Sequence, residues 1–187
     1  MIKIFLQPHD ISYAAELASM IATPSVRCAL ALKSEDCTPE AMIQFIRTMQ
    51  LEEMEGHFYS RMIRDEQHQL IGVITLKNID EVTKTCHMST WIAEPYWGKG
   101  YNFLAKEQIL YTAFAQYDLQ YVFVGARSEN LRSRKSQRKL PYMTMRVEEE
   151  FASEHRKLER LEQTPCVLNV IKRFDFLNWY NHYRIAG

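Results

Sequence analysis

The stretch that decides the fold is Thr90-Trp-Ile-Ala-Glu-Pro-Tyr-Trp-Gly-Lys-Gly-Tyr-Asn102, in which an apolar run ends in a glycine turn and a helical pattern starts immediately. This order predicts an anion site, because the first N–H groups of a helix have no partner within it and the helix dipole favours negative charge. Gly98 and Gly100 lack the Cβ atoms that would hold a phosphate away from those N–H groups. The segment therefore predicts a place where a diphosphate lies on the backbone.

Two better known phosphate-binding patterns are absent from this loop. No Gly-Lys-Ser/Thr follows a four-residue spacer, and no third glycine completes a dinucleotide fingerprint. The sequence thus argues against a P-loop NTPase and against a Rossmann dehydrogenase. Taken by itself, a pair of glycines separated by one residue is also compatible with a tight turn that binds nothing.

With its flanking residues, the loop resembles the coenzyme A loop of the GNAT superfamily of N-acetyltransferases, Arg/Gln-x-x-Gly-x-Gly/Ala. The form Pro95-Tyr-Trp-Gly-Lys-Gly-Tyr101 is similar to the branch of ribosomal-protein N-terminal (alanine/serine) acetyltransferases. Downstream, Asn130-Leu-Arg-Ser133 and Arg138-Lys-Leu-Pro-Tyr142 resemble the family's Asn-x-x-Ser and Lys-Leu-Gly-Phe motifs. Both motifs occur in the family's order and at about its spacing.

The strand and helix patterns, together with the resemblance, indicate an α/β (α+β) fold. We expect a mixed, mostly antiparallel sheet of about six to seven strands flanked by helices, with a cofactor cleft between two diverging parallel strands. A chain of 187 residues with 47% hydrophobic content is expected to form a single domain, residues 1–187. The resemblance implies that this is an acyl-CoA N-acyltransferase domain.

Helix starts are the clearest local signals in the first third of the chain. Asp10 or Ser12 can cap a helix that runs to Ile21. Thr38 followed by Pro39 predicts a second helix start, with Thr38 as N-cap and proline at the first helical position. The buried face of this second helix is predicted at Met42, Phe45, Ile46 and Met49.

Sequence patterns typical of β-strands begin near Phe58. Apolar and β-branched runs predict strands at 58–64, 69–76, 86–92 and 119–125, with a helix at 101–117 between the last two. Further strands are predicted at 143–147 and 167–176. The charged segment 148–162 has few apolar residues, so it is predicted to be a long hairpin or an irregular arm, and the aromatic run 174–180 is predicted to pack against the sheet.

Charge and cysteine usage exclude several function classes. Formal net charge is +0, so no global field draws the chain to nucleic acid or to an anionic membrane. No signal-peptide architecture and no run of about 18 apolar residues occurs, which predicts a soluble, cytoplasmic protein. The scattered cysteines predict reduced thiols and no metal site. Cys86 precedes His87, but adjacent strand residues point to opposite faces, which argues against an activated thiol.

The family resemblance implies acetyl-CoA as co-substrate and assigns residues to it. Main-chain groups of Trp91 and Ile92 would pair with the pantetheine arm, while the diphosphate would lie on the loop and Arg138 and Asn130 would assist. The loop residues concerned are Trp97, Gly98, Lys99, Gly100, Tyr101 and Asn102. The segment 131–140 carries the densest positive patch, which suits either a solvated helix face or the 3′-phosphate of coenzyme A.

The resemblance also implies catalytic roles. Ser133 would donate a proton to the departing thiolate, and Asn130 would orient the pantetheine or the reacting groups. The alternative is a purely structural role, in which Asn130 is a helix cap and Ser133 an ordinary first-turn residue. Glu94, Glu129 and Glu148 could each act as the general base, with Glu94 and Glu148 the preferred candidates. A base made of water and backbone carbonyls is equally compatible with the sequence.

The family resemblance also implies that the acceptor is an amine. The branch resemblance favours a protein N-terminal amine, while a small amine (polyamine or antibiotic) and a non-catalytic, coenzyme A-binding regulatory member stay open, as does a homodimer.

Two departures from the family pattern bear on activity: Asn102 stands where Gly or Ala is usual, and Pro141 replaces the Gly of Lys-Leu-Gly-Phe. Asn102 could crowd the diphosphate or bond to it, and Pro141 lacks an N–H.

Overall fold

The computed structural model describes residues 2–185. Within them, seven strands form one mostly antiparallel sheet in the order β1-β2-β3-β4-β5-β7-β6, with β4 and β5 parallel. The strands are β1 Phe5–Gln7, β2 Tyr59–Arg64, β3 Leu70–Asp80, β4 Thr85–Ile92, β5 Tyr121–Arg127, β6 Met143–Thr144 and β7 Cys166–Lys172. The helices are α1 Ala14–Ala22, α2 Pro24–Leu30, α3 Pro39–Met54, α4 Tyr101–Tyr111, α5 Leu131–Gln137, α6 Ala152–Glu162 and α7 Arg173–Ile185. The predicted fold class is confirmed.

The chain divides into two compact units. Unit 1 comprises the chain up to Lys77 together with Ser89–Ile109, and unit 2 comprises Asn78–Met88 and the chain from Leu110 onward. None of the described helices is long and apolar enough to cross a membrane.

Unit 1 is organised around side chains that α1 and α3 bury with β2 and β3. Leu17, Ile46 and Met62 are almost fully buried in one cluster, and Trp91 packs against its margin. The predicted start of α3 is confirmed, since Thr38 Oγ1 accepts the N–H of Ala41 at 3.1 Å. Burying such aliphatic side chains stabilises the fold by about 1.5–3 kcal/mol each.

Asp10 is confirmed as a cap, although the element it caps is shorter than predicted. Its Oδ1 accepts the N–H of Ser12 at 2.8 Å and starts a 3₁₀ turn, Ile11–Tyr13. The α-helix proper begins one turn later, at Ala14.

Unit 2 is built on β5 and β7, which pair antiparallel along their whole length, Tyr121–Arg127 against Cys166–Lys172. β4 and β5 pair in parallel over Thr85–His87 and Tyr121–Phe123. As in other parallel pairs, both strands are largely buried, so the apolar run of β5 matches its interior position in the sheet.

The prediction for segment 148–162 was wrong, because residues Ala152–Glu162 form helix α6. One apolar residue on its inner face, Leu158, is 7% exposed and lies against Gly125 of β5. A Cβ atom built at Gly125 would come within 2.5 Å of Leu158 Cδ2, so the missing side chain makes room for the leucine. This apolar contact helps to dock a helix whose composition is mostly polar.

The strand predicted at 167–176 also ends earlier, at Lys172, where α7 begins. Phe176 and Tyr180 lie one helical turn apart with stacked rings 5.6 Å between centroids. Phe176 is fully buried and its ring meets Phe114, which lies in the five-residue π-helical turn Thr112–Gln116 that continues α4. The aromatic run thus follows helical rather than strand periodicity.

Candidate functional site

The residues assigned from the sequence fall into two groups, one in each unit. The glycine-loop group lies in unit 1 and consists of Trp91, Ile92, Glu94 and residues 97–102. The Ser133 group lies in unit 2 and consists of Asn130, Ser133, Arg138 and Glu148.

The backbone of the loop presents a run of open donors. Gly98 and Gly100 have φ of 74° and 93°, the left-handed region that glycine adopts without strain. Helical bonding begins at Phe103, whose N–H donates to Gly100 O at 3.0 Å. Within residues 2–185, no hydrogen bond uses the N–H groups of residues 98–102. These successive donors at the N-terminus of α4 form a cradle suited to an anion, and the binding of a diphosphate there stays a prediction.

The loop side chains leave this cradle accessible. Lys99 is exposed, with its ammonium 5.5 Å from the centre of the Tyr96 ring. Tyr101 is 6% exposed and its hydroxyl donates to Glu66 at 3.1 Å, so the residue can offer a ligand only its backbone N–H. Burial, followed by the bond to Glu66, raises the pKa of Tyr101 above its ordinary value.

Asn102 carries a buried polar atom that lacks a partner. Its Oδ1 is buried, and within the described part of the chain it accepts no hydrogen bond. An unsatisfied amide oxygen costs about 1–3 kcal/mol, so the amide has unused bonding capacity beside the open N–H run. The prediction that Asn102 crowds or bonds a diphosphate stays a prediction.

The end of β4 is fixed to the loop by an indole. Trp97 Nε1 donates to Ile92 O at 2.6 Å. One lone pair of the Ile92 carbonyl is therefore already used, and a ligand that follows this strand would have to share that oxygen. β4 also approaches β3 closely, since a Cβ atom at Gly72 would lie 2.2 Å from Trp91 O. The strand end on which the predicted pantetheine contacts depend is thus held on both sides.

Glu94 lies in the 3₁₀ turn Glu94–Tyr96 that follows β4. Its carboxylate is exposed, and Oε2 accepts the hydroxyl of Ser25 at 2.5 Å. The side chain is therefore directed to the start of α2, Pro24–Leu30, and its role as a base stays a prediction.

In unit 2, Asn130 is the N-cap of α5. Its Oδ1 accepts the N–H of Ser133 at 3.0 Å, which is the capping interpretation of the Asn-x-x-Ser spacing. The cap uses the amide oxygen and leaves the amide nitrogen as the group that Asn130 could offer to a ligand. Arg138 is the C-cap of the same helix and is exposed.

Ser133 has a partner that sequence reasoning missed. Gln137, one turn further along α5, donates from Nε2 to Ser133 Oγ at 3.1 Å and to Gly125 O at 3.3 Å. Gln137 is 2% exposed, and its Oε1 accepts from Nδ2 of the fully buried Asn169 at 2.5 Å. The signal that could have found them is the presence of an amide in the apolar strand Val167-Leu-Asn-Val-Ile171 and of another one turn after Ser133.

Glu148 lies on the wall of a cavity of about 610 Å³ that Arg134, Arg146 and His155 also line. Its Oε1 accepts the N–H of Leu168 at 3.2 Å and lies 3.1 Å from Arg146 Nε. One carboxylate oxygen therefore holds β7 and the preceding turn together. A role as base would fall to the other oxygen and stays a prediction.

The cysteine and histidine at the start of β4 do not form an activated pair. Cys86 is fully buried, and burial raises the pKa of its thiol well above the ordinary value. His87 Nε2 lies 2.9 Å from Glu154 Oε2 of α6. The imidazole is thus engaged with a carboxylate, as expected from the alternation of a strand.

Residues 3–142, a range that includes the glycine loop and the Asn-x-x-Ser motif, match the family model of the GNAT acetyltransferase domain. No curated protein matches the chain in sequence.

Solved structures share the fold at low identity. The RimL ribosomal L7/L12 alpha-N-protein acetyltransferase in complex with coenzyme A has a TM-score of 0.66 at 16% identity, covering 76% of this chain and 80% of its own. The spermidine N-acetyltransferase from Vibrio cholerae with coenzyme A and spermine has a TM-score of 0.70 at 11% identity, covering 93% and 98%. The microcin C7 self-immunity acetyltransferase MccE with acetyl-CoA and AMP has a TM-score of 0.69 at 15% identity, covering 90% and 91%. At these identities the likeness shows the fold alone.

Proposed function

The chain belongs to the GNAT acetyltransferase family, and we propose from that premise that it moves the acetyl group of acetyl-CoA to a primary amine, foremost the N-terminal amine of a protein. The observation that carries the proposal is the run of N–H groups at residues 98–102 that no hydrogen bond of the described chain uses. Such a run at a helix N-terminus suits the diphosphate of coenzyme A.

Binding is the task of the glycine-loop group. The N–H groups of Gly98, Gly100 and Tyr101 donate to the diphosphate, and the exposed ammonium of Lys99 adds a cation. The residues present fit the ligand because a Cβ atom at Gly98 would point into open space, with no described atom within 4 Å. Arg138, exposed at the end of α5, is a further cation for the nucleotide phosphates.

Acetyl transfer forms a C–N bond and breaks the C–S bond of the thioester. The neutral amine attacks the carbonyl carbon, and the amine proton that is lost balances the proton gained by the sulfur. Ser133 donates its hydroxyl hydrogen to the sulfur as the C–S bond breaks, and its oxygen regains a proton through the water that takes up the proton released by the amine. Asn130 shapes the start of α5 so that the Ser133 backbone is held in place.

No carboxylate is required as the base in this scheme. Glu94 and Glu148 each have an oxygen that accepts a hydrogen bond at 2.5 Å and 3.2 Å, respectively. Water and backbone carbonyls are sufficient for an amine that arrives neutral.

Two features support a protein N-terminus as the acceptor. The segment Pro95–Tyr101 resembles the ribosomal-protein branch, and a ribosomal-protein acetyltransferase is among the structural neighbours. Polyamine and antibiotic-immunity acetyltransferases share the fold with TM-scores of 0.70 and 0.69, so the choice of a protein N-terminus depends mainly on the segment Pro95–Tyr101.

The test is transfer from acetyl-CoA to a panel of amines, followed by mass spectrometry. We expect acetylation of peptides that begin with Ala or Ser, no acetylation of the same peptides with blocked N-termini, and less on spermidine. Transfer to spermidine alone would overturn the acceptor class. Binding of coenzyme A without transfer to any amine would indicate a regulatory member, and absence of binding would overturn the role of the loop.

A further inference from the structure

Beneath Ser133 lies a chain of buried amides, which we name the amide relay: Gln137, Asn169 and the backbone N–H of Arg146. Arg146 N–H donates to Asn169 Oδ1 at 2.8 Å, Asn169 Nδ2 donates to Gln137 Oε1 at 2.5 Å, and Gln137 Nε2 donates to Ser133 Oγ at 3.1 Å. Gln137 is 2% exposed and Asn169 is 0% exposed. The relay therefore joins α5 to β7 and to the turn before α6 through two buried side chains.

The direction of the relay is fixed by groups that cannot reverse. A backbone N–H can only donate, so the amide atom of Asn169 that meets Arg146 has to be the oxygen. The nitrogen of Asn169 then faces Gln137, which has to present its own oxygen. The nitrogen of Gln137 is left facing Ser133 and the carbonyl of Gly125, which can only accept. Both ends of the relay thus require the same orientation of the two amides.

The fixed orientation of the two amides determines which hydrogen bonds the Ser133 hydroxyl can make. Its oxygen accepts from Gln137, so the relay cannot take its hydrogen. A serine in a helix commonly donates to the carbonyl four residues earlier, yet in the described chain no hydrogen bond has Ser133 Oγ as its donor. The hydroxyl hydrogen is left to point away from Gln137.

We propose that Gln137 and Asn169 are positioning residues for the Ser133 hydroxyl. They keep its oxygen as the acceptor of a hydrogen bond from Gln137, so that its hydrogen is available to the sulfur of the departing coenzyme A. The inference rests on the proposed function and deepens it. No new bond is made or broken: the relay sets the orientation of one O–H group, and transfer proceeds as described above.

A double-mutant cycle is the principal test. Gln137→Met keeps the volume and removes the donor, and we expect kcat to fall about tenfold while the KM for acetyl-CoA stays the same. In the Ser133→Ala background the same substitution should change kcat by less than about twofold, because it has no hydroxyl left to orient. An equal loss in both backgrounds would overturn the proposal, since it would mean a structural effect unrelated to Ser133.

A pH profile keeps the proposal testable if Gln137→Met does not fold. In Gln137→Glu, the neutral carboxyl can accept from Asn169 and donate to Ser133, whereas the ionised carboxylate can only accept and captures the Ser133 hydrogen. Burial raises the pKa of the new carboxyl, so kcat should fall as pH rises, with the wild type lacking this limb. A Gln137→Glu enzyme with the pH profile of the wild type would contradict the relay.

Asn169→Asp tests the relay at a residue that does not touch Ser133. Once ionised, the two carboxylate oxygens would oblige Gln137 to turn its nitrogen toward position 169 and its oxygen toward Ser133, which captures the hydroxyl hydrogen. Because burial raises the pKa of a carboxyl at this position, and its neutral form can replace the amide in the relay, we expect kcat to fall as pH rises, with coenzyme A affinity retained. A wild-type pH profile in folded protein would overturn the proposal. If wild-type protein transfers acetyl groups and Ser133→Ala is slow, the proposed function stands whatever these variants show.

Discussion

The glycine loop offers main-chain groups to a ligand, whereas the Ser133 group offers side chains. The loop offers main-chain N–H groups of residues 98–102, and its own side chains either point elsewhere, as Tyr101 does, or are exposed, as Lys99 is. Ser133 offers a side chain whose hydrogen is directed by two further side chains, Gln137 and Asn169. One region depends on backbone conformation and the other on side-chain chemistry.

The difference predicts how each region responds to substitution. A main-chain site tolerates changes of side chain provided that the backbone can adopt the required φ, so glycines decide its function. A side-chain site fails when a single donor or acceptor is removed, even if the backbone is unchanged. Substitutions in the loop should therefore alter the binding of coenzyme A, and substitutions around Ser133 should alter the rate.

The largest effect on rate is expected for Ser133→Ala. Loss of the hydroxyl should lower kcat about 100-fold, within the range for losing a general acid, and leave the Kd for coenzyme A nearly unchanged. Ser136→Ala, three residues further along α5, is the matched control and should retain its rate. Steady-state kinetics and calorimetry measure both quantities, and a Ser133→Ala enzyme with full turnover or with lost binding would refute the separation of roles.

A smaller effect, on stability alone, is expected at Lys106 in α4, the helix that follows the loop. Lys106 is 3% exposed, and burial lowers its pKa from 10.5 to about 8. Between pH 8 and pH 10.5 the unfolded state binds more protons than the folded state, so the free energy of unfolding rises with pH. Below about pH 8 the lysine is charged in both states, and the folded state bears the whole cost of burying that charge. Lys106→Met should therefore stabilise the protein at pH 7 by about 3 kcal/mol.

Denaturant unfolding at several pH values checks this prediction. Lys106→Met should lack the rise above pH 8 that the wild type shows, while Lys135→Met, at an exposed lysine of α5, should behave as the wild type. Because the loop acts through its backbone, coenzyme A affinity should not change. Equal stability of Lys106→Met and the wild type at pH 7 would show that the lysine is solvated in solution.

The smallest effect is expected for the two candidate bases. Glu94→Gln and Glu148→Gln preserve an acceptor oxygen for Ser25 and for the N–H of Leu168, so each should change kcat by less than about threefold. A drop of about 100-fold in either variant would identify that carboxylate as the general base. Rates measured at saturating acetyl-CoA and peptide distinguish the outcomes.

Local signals predicted the part of the fold that depends on neighbouring residues. The cap at Thr38, the turn at Gly98 and Gly100 and the helix that starts at Tyr101 each follow from a few adjacent residues, and all three are confirmed as local structure. The two elements predicted wrongly depend on distant contacts. Helix α6 docks through Leu158 into the space that Gly125 leaves, and the start of α7 is fixed where Phe176 meets Phe114.

The residues of the candidate site also divide into those that the sequence reveals and those that it does not. The glycine loop and the Asn-x-x-Ser spacing are visible in the sequence because each is contiguous. The amide relay is not, because Asn169 lies 32 residues after Gln137 and reaches it only through the pairing of β5 with β7. The direction of the amides also depends on the backbone N–H of Arg146, which no side-chain pattern reveals.

The central claim, that backbone N–H groups of the loop bind coenzyme A, is tested most directly by calorimetry of two matched glycine variants. Gly98 and Gly56 have φ of 74° and 78°, and a Cβ atom at either position meets no described atom within 4 Å, so valine strains both backbones to a similar degree. Gly98→Val should weaken the binding of coenzyme A at least about 100-fold by blocking the phosphates, whereas Gly56→Val should bind as the wild type. Unchanged affinity in folded Gly98→Val, or an equal loss in both variants, would contradict the account.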